Sequence, residues 1–159
     1  MRPVSLLNEA ARTEIADYTR RYPSKRSALL PALHIVQRDH GWISREAMEE
    51  VAALLEIRPA EVMEAVSFYT MYNQKPIGRY HIQICRNISC ALRGARTISR
   101  HISENLGIEV GETTSDGRFT LSEVECLGSC GTAPMFQLND DYHEDLTEAR
   151  VNEILAGLP

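Results

Sequence analysis

No apolar stretch in the 159 residues approaches membrane-spanning length. The longest candidate, Ala28 to Val36, is interrupted by Pro31 and His34, whereas a spanning helix needs about 20 mostly apolar residues. Near the amino terminus stand Glu9, Glu14 and Asp17, where a secretory signal would need an apolar run. A cytoplasmic protein with no direct membrane insertion is therefore expected. A basic excess is missing too: the formal charge is -5, and phosphate binding needs clustered Lys and Arg. Nucleic acid is thereby excluded as a partner. No Ser-His-Asp order, catalytic carboxylate pair or Gly-rich phosphate loop stands out, so no catalytic site belongs to the chain itself. Internal repeats and low-complexity tracts are also lacking. What remains is an ordinary globular composition, 43% hydrophobic and 25% charged, able to bury a core.

From Ser5 to about Tyr72 apolar residues recur at helical spacing. Leu6, Leu7, Ala10, Ala11, Ile15 and Tyr18 predict a first helix that stops near Tyr22-Pro23, because a residue before proline is pushed out of the helical region. Leu29, Leu33, Ile35 and Val36 predict a second, with Pro31 tolerable in its first turn and Gly41 as its stop. Ser44 reads as the cap of a third, and Arg58-Pro59-Ala60-Glu61 opens a fourth with proline at its first position. The stretch 73–78, Asn-Gln-Lys-Pro-Ile-Gly, carries turn residues and no period, and reads as a linker. Residues 1–74 are thus expected to form a helical domain and 78–159 a second one.

After Gly78 the period becomes alternating. Tyr80, Ile82 and Ile84 oppose His81 and Gln83, as in a half-buried strand ending at Cys85. A helix is expected from about Cys90 to Leu106, with Leu92, Ile98, Ile102 and Leu106 inward and Gly107 as its stop. Asp116-Gly117 reads as a turn, Phe119 to Glu125 as a strand, and Pro134 to Leu138 and Tyr142 to Glu144 as two more around the turn Asn139-Asp140-Asp141. Thr147 caps a closing helix. The fold class is α+β, a helical bundle followed by a small mixed sheet with flanking helices, compatible with thioredoxin-like layering.

Every cysteine falls in one pattern: Cys85-x4-Cys90, 35 intervening residues, then Cys126-x3-Cys130. Each pair begins at the carboxyl end of an expected strand, so neighbouring strands could bring both loops to one sheet edge. Disulfides are disfavoured in a reducing cytosol, and no Cys-x-x-Cys dithiol is present. Four thiolates suit a soft metal. Spacing alone leaves structural zinc open. A plant-type ferredoxin would cluster three cysteines, and a Rieske centre needs two histidines, yet His34, His40, His81, His101 and His143 lie outside the cysteine loops. The loops themselves favour a 2Fe-2S cluster, whose negative charge must be met by donors. Cys90 is expected at a helix start, Gly128 and Gly131 flank Cys130, and Arg86 and Arg93 add positive charge.

Several blocks in order then resemble a known family. They are Ser67-Phe68-Tyr69-Thr70-Met71-Tyr72, expected to be helical, Cys85 to Cys90 running into Ala91-Leu92-Arg93-Gly94, Glu125-Cys126-Leu127-Gly128-Ser129-Cys130, and Ala133-Pro134 leading to Asn139-Asp140-Asp141-Tyr142. The chain resembles the thioredoxin-like 2Fe-2S subunit, of E type, of NADH:ubiquinone oxidoreductase, respiratory complex I, over nearly its whole length. The resemblance implies one 2Fe-2S cluster on Cys85, Cys90, Cys126 and Cys130. It also implies a partner subunit that binds FMN and NADH, and a place in the peripheral arm of a membrane-associated complex. Related subunits serve NAD-dependent formate dehydrogenases and NAD-reducing hydrogenases, and a zinc-stabilised interaction module is the non-redox alternative. Ser89 stands where family members commonly have proline, and Gly131-Thr132 replaces a more usual pair.

Two further groups have a functional and a plain reading. Phe68, Tyr69, Met71 and Tyr72 fit either a docking surface for the flavin subunit or ordinary core at a helix end. Arg93, Arg96 and Arg100 are expected on one helix face, either meeting an acidic partner or simply solvated.

Overall fold

Asn8 ends an extended entry into the first helix, α1 (Glu9–Arg21), and its side-chain oxygen accepts the Ala11 N–H at 2.8 Å. One of the donors that every helix start leaves open is thereby filled. The structure, a computed structural model, describes residues 6–159. Ser5, the expected start of the helical pattern, lies outside the described residues. Leu6 and Leu7 precede α1 rather than belong to it. The helix stops at Arg21 because Tyr22, held before Pro23, is extended.

A short 3-10 turn at Lys25–Ala28 leads into α2 (Leu29–His40), where Pro31 sits in the first turn and Gly41 closes the helix at φ 77. The Ser44 side chain accepts the Ala47 N–H at 3.1 Å and opens α3 (Arg45–Leu55). α3 ends without glycine, on Glu56 in the left-handed region. α4 (Pro59–Phe68) starts on its proline, with the Glu61 carboxylate accepting the Arg58 N–H at 3.1 Å. Leu33, Val36, Val51, Leu55, Val62 and Val66 from these helices form the centre of this unit's core.

The block Ser67 to Tyr72, expected to be helical throughout, leaves the helix at Phe68. Tyr69 is already extended, and the departure lets Tyr72 turn inward. Its ring meets His34 and Tyr69, and its hydroxyl donates to the Leu30 carbonyl at 3.1 Å. Burial raises the Tyr72 pKa to about 12. Tertiary packing, not local propensity, decides where α4 ends.

The chain divides into two units between Pro76 and Ile77. The second is built on β1 (Tyr80–Cys85), which pairs in parallel with β2 (Phe119–Val124) and antiparallel with β3 (Phe136–Leu138). β4 (Asp141–His143) adds to β3, giving the sheet order β2-β1-β3-β4. A parallel pair needs a crossover, and here α5 (Ile88–Leu92) and α6 (Ala95–Leu106) supply it. The Thr147 hydroxyl caps α7 (Glu148–Gly157) by accepting the Arg150 N–H at 3.2 Å. Asn152 joins α7 to α6 through His101 and Asn105.

Three expectations change here. β1 is not half-buried: it is central, and His81 is enclosed with its Nε2 2.9 Å from the Ser122 hydroxyl. The single helix expected over 90–106 is two, broken by Gly94 at φ 97, a left-handed conformation that glycine adopts without a Cβ penalty. Leu92, expected inward, is 83% exposed, because the break resets the helical phase and α5 turns Cys90 rather than Leu92 into the core that Ile98 and Ile102 enter. Arg93 accordingly lies outside α6, while Arg96 and Arg100 lie within it. Among the described residues no helix is long and apolar enough to cross a membrane.

Candidate metal centre

Cys85 is the last residue of β1, and its register partner in β2 is Val124, two residues before Cys126. The parallel pairing therefore delivers both cysteine loops to the same end of the sheet, outside the carboxyl ends of two adjacent strands. The Arg86 N–H continues the ladder to the Val124 carbonyl at 2.9 Å, and the Cys85 thiol donates to the Glu125 carbonyl at 3.5 Å.

The first loop closes quickly. Asn87 caps α5, its side-chain oxygen accepting the Ile88 N–H at 2.7 Å, and this puts Cys90 in the middle of a five-residue helix rather than at the start of a long one. Asn directly before the first helical residue is the local signal for that start. Ser89 lies in the same turn, where its N–H needs no helical partner. α5 packs on the 3-10 turn Cys130–Thr132, which brings the two loops together.

Within that junction Cys85 and Cys90 are buried, whereas Cys126 and Cys130 are exposed. Burial, reinforced by the neighbouring Cys85 side chain, pushes the Cys90 thiol up to about 11, while the Met135 backbone pulls the other way. Cys130 is also close enough to act on Cys90. Among the described residues no three Cys, His, Asp or Glu side chains converge as a single metal ion requires.

The second loop is held by its surroundings. Gly128 takes φ 83, with nothing within 4 Å of where a Cβ would stand, so the requirement is conformational. Arg93 Nε donates to the Ala133 carbonyl at 2.6 Å, tying the α5–α6 junction to the far end of the second loop. From β4 the Tyr142 hydroxyl donates to the Leu127 carbonyl at 2.6 Å. Just beyond, the Glu144 carboxylate accepts from the Ser129 hydroxyl and, at 2.6 Å, from the Thr132 hydroxyl. Tyr142 lies in the block that ends Asn139-Asp140-Asp141-Tyr142, whereas no sequence signal marks Glu144, which lies in no cysteine motif.

The arginines behave differently from expectation. Arg86 pairs with Glu125, Nε to Oε1 at 3.1 Å, so its charge is matched locally rather than offered to the cysteines. Arg96 and Arg100 line a cleft of about 640 Å3 that also borders Cys85, Glu123 and Glu125. Two arginine side chains cross to the second loop: Arg86 to Glu125 ahead of Cys126, and Arg93 to Ala133 beyond Cys130.

Residues 15–159 match the thioredoxin-like 2Fe-2S ferredoxin family. The chain belongs to that family. This ferredoxin is 48% identical over 144 residues to the second E-type subunit of the NADH-quinone oxidoreductase of Rhizobium meliloti, covering 91% of this chain and 86% of the relative. It is also 48% identical over 141 residues to NADH-quinone oxidoreductase subunit 2 of Thermus thermophilus, covering 87% and 78%. Its fold is similar to part of an NAD+-reducing NiFe hydrogenase solved in the air-oxidised state, with TM-score 0.71 and 25% identity. That match covers 82% of this chain and 23% of the hydrogenase chain.

The donor set of this ferredoxin fits the family's cluster. All its cysteines are free thiols, they lie in two loops at one sheet end, and Cys85 and Cys130 both lie close enough to act on Cys90. The same soft ligands suit iron and sulfide.

Proposed function

We propose that this chain is the E-type subunit of an NADH-quinone oxidoreductase, carrying one 2Fe-2S cluster beside the flavin of an NADH-oxidising partner. The observation that carries the reading is the delivery of Cys85, Cys90, Cys126 and Cys130 to one end of the β1–β2 pair. Identity of 48% to two subunits of such enzymes over most of the chain supports it. A bound 2Fe-2S cluster supplies one-electron transfer. Cys85 and Cys90 hold the buried side of such a cluster, and Cys126 and Cys130 hold the side open to solvent and to a partner. Arg93 and the α5 turn keep the two loops at a fixed spacing.

The partner contacts include the end of α4. Phe68 is 77% and Met71 49% exposed, and large apolar side chains left in water at one place mark an interface more often than scattered ones do. Tyr69 is half-buried and contributes an edge. Tyr72 is withdrawn from the docking set, since its ring is core. Attachment through such contacts puts the chain in the peripheral arm of a membrane-associated complex. The domain division proposed is a helical module through residue 74 and a cluster-bearing domain from residue 78.

A second reading, the equivalent subunit of an NAD-reducing hydrogenase, draws on the fold likeness to the hydrogenase chain. The quinone-linked reading is preferred, because 48% identity outweighs 25% over a similar share of the chain. Purification from the native host tests both. The expected sample is reddish brown, with about two irons and two labile sulfides per chain and a rhombic paramagnetic signal after dithionite, as a four-thiolate centre gives. It comes with a flavoprotein and quinone-reductase subunits. A colourless chain with one zinc overturns the cluster, and a nickel-containing partner favours the second reading.

A further inference from the structure

Glu144 is exposed and distant in sequence from every cysteine, yet one of its oxygens receives hydroxyls from both sides of Cys130. Ser129 precedes that cysteine, and Thr132 ends the 3-10 turn that it opens. The Ser129 and Thr132 hydroxyl oxygens are themselves 2.8 Å apart, a hydrogen-bond distance, so the two hydroxyls and the Glu144 oxygen form one polar cluster. Two further bonds anchor the strap: the Asp145 N–H to the Thr132 carbonyl at 2.8 Å and the Leu146 N–H to the Pro134 carbonyl at 3.0 Å. Tyr142, two residues before Glu144, holds the Leu127 carbonyl beside Cys126.

Loops carrying ligands on a sheet edge are free to open unless something fixes them. In the first loop the fixing is internal, through Asn87 and α5. In the second, the backbone between Cys126 and Cys130 forms no helix, and the fixing comes from outside. We propose that Glu144 is the positioning residue of the second cysteine pair, assisted by Tyr142, holding Cys126 and Cys130 in a ligand-ready spacing whether or not a cluster is present.

This rests on the cluster reading above and adds to it a named outer residue. A carboxylate is suited to the task because a single ionised oxygen accepts two hydroxyl bonds, and bonds to a charged acceptor are the stronger kind. It also places a negative charge beside a thiolate pair, which opposes addition of an electron at that side. The amide of Gln keeps an acceptor oxygen and loses the charge, so Glu144→Gln separates the two effects. Thr132 is one of the hydroxyls that Glu144 uses.

The test compares full-length native chain, Glu144→Ala, Glu144→Gln and Tyr142→Phe. On the cluster-free chains, amide hydrogen exchange over residues 127–133 reads the clamp directly. On the reconstituted chains, the rate of iron release to a chelator, the midpoint potential and the low-temperature paramagnetic spectrum read its consequence. Expected are exchange and iron release at least tenfold faster in Glu144→Ala, with a broadened spectrum, and a smaller change in the same direction in Tyr142→Phe. Glu144→Gln is expected to fall between native and Glu144→Ala in exchange and release, with its potential raised. Native-like exchange, release and spectrum in Glu144→Ala overturn the clamp, and so does a Gln variant as loose as the Ala one. A native chain that takes up no iron and sulfide instead overturns the cluster reading, before any variant is compared.

Discussion

His81 Nε2 and Ser122 Oγ lie 2.9 Å apart across the β1–β2 pair, on the strands that carry the two cysteine loops. Burial holds His81 below the ordinary histidine value of 6.5, so the folded chain keeps it neutral. His143 is moved the same way, chiefly by burial. When pH falls through 6.5 the unfolded chain takes up protons that the fold refuses, so stability drops with falling pH from there downward. Melting temperature is expected to be flat above pH 7 and to decline below about 6.5. His81→Gln flattens part of that decline, leaving the His143 share. Asp116, held below its usual 3.8 by the Thr114 hydroxyl first, contributes only at much lower pH. An unaltered slope between pH 7 and 5 in the variant would count against this assignment.

Gly78 has no room for a side chain. A Cβ there would stand 2.8 Å from the Phe119 carbonyl carbon and 2.9 Å from that of Arg118, both backbone atoms at the entrance to β2. Its N–H also donates to the Thr120 hydroxyl at 2.6 Å. Gly78→Ala is expected to destabilise by about 1–3 kcal/mol through forced separation of the strands. Gly131→Ala, with nothing within 4 Å of the new carbon, should stay within about 0.5 kcal/mol. Urea denaturation of the pair decides the point, and equal midpoints would show that β1 yields more easily than the distances imply.

In the cluster-free chain the thiols differ in access. Cys126 and Cys130 are exposed and Cys85 and Cys90 buried, and the Cys90 thiol is pushed up to about 11, which starves it of thiolate. Alkylation at neutral pH followed by mass spectrometry should modify the 126/130 pair first and leave 85 and 90 protected until denaturant is added. Early labelling at Cys90 would mean that α5 opens readily. With cluster bound, Cys90→Ser and Cys126→Ser are each expected to lose most of the iron, measured by absorbance and metal content.

Phe136 and Leu92 separate core from surface near the cysteines. Phe136 is fully buried in β3 and faces Ile84 in the register of the sheet, whereas Leu92 is 83% exposed. Phe136→Ala is expected to cost about 3–5 kcal/mol, and Leu92→Ala less than about 0.5 kcal/mol. A large loss in Leu92→Ala, measured on the isolated chain by thermal denaturation, would show packing that its exposure does not reveal.

Much of this fold is legible in local chemistry. Ser44, Gly41, Gly107 and Thr147 act where capping rules place them, because each satisfies an open helix end with its own side chain or backbone, and Pro59 starts α4 where its missing N–H leaves nothing unsatisfied. The cysteine loops follow strand ends for the same reason: alternation and turn residues fix where β1 and β2 stop. Illegible features depend on partners far along the chain. Tyr72 leaves the helix to reach Leu30, His81 is enclosed by β2 and the Asn139 side chain, and Glu144 meets Ser129 and Thr132 only once the β3–β4 hairpin folds back. Leu92 misleads because its spacing is helical while the break at Gly94 resets the phase.

The central place of β1 in the sheet order β2-β1-β3-β4 has a consequence for biogenesis. The first thiol pair leaves the ribosome well before the strands that flank it on either side, and pairing across such distances in sequence forms late. The helical residues ahead of it can settle by local contacts during synthesis. A cofactor-delivery machinery would therefore meet a receptive edge only after translation is nearly finished, and a chain truncated before Thr147 would present sulfurs with no finished surface to hold their cargo.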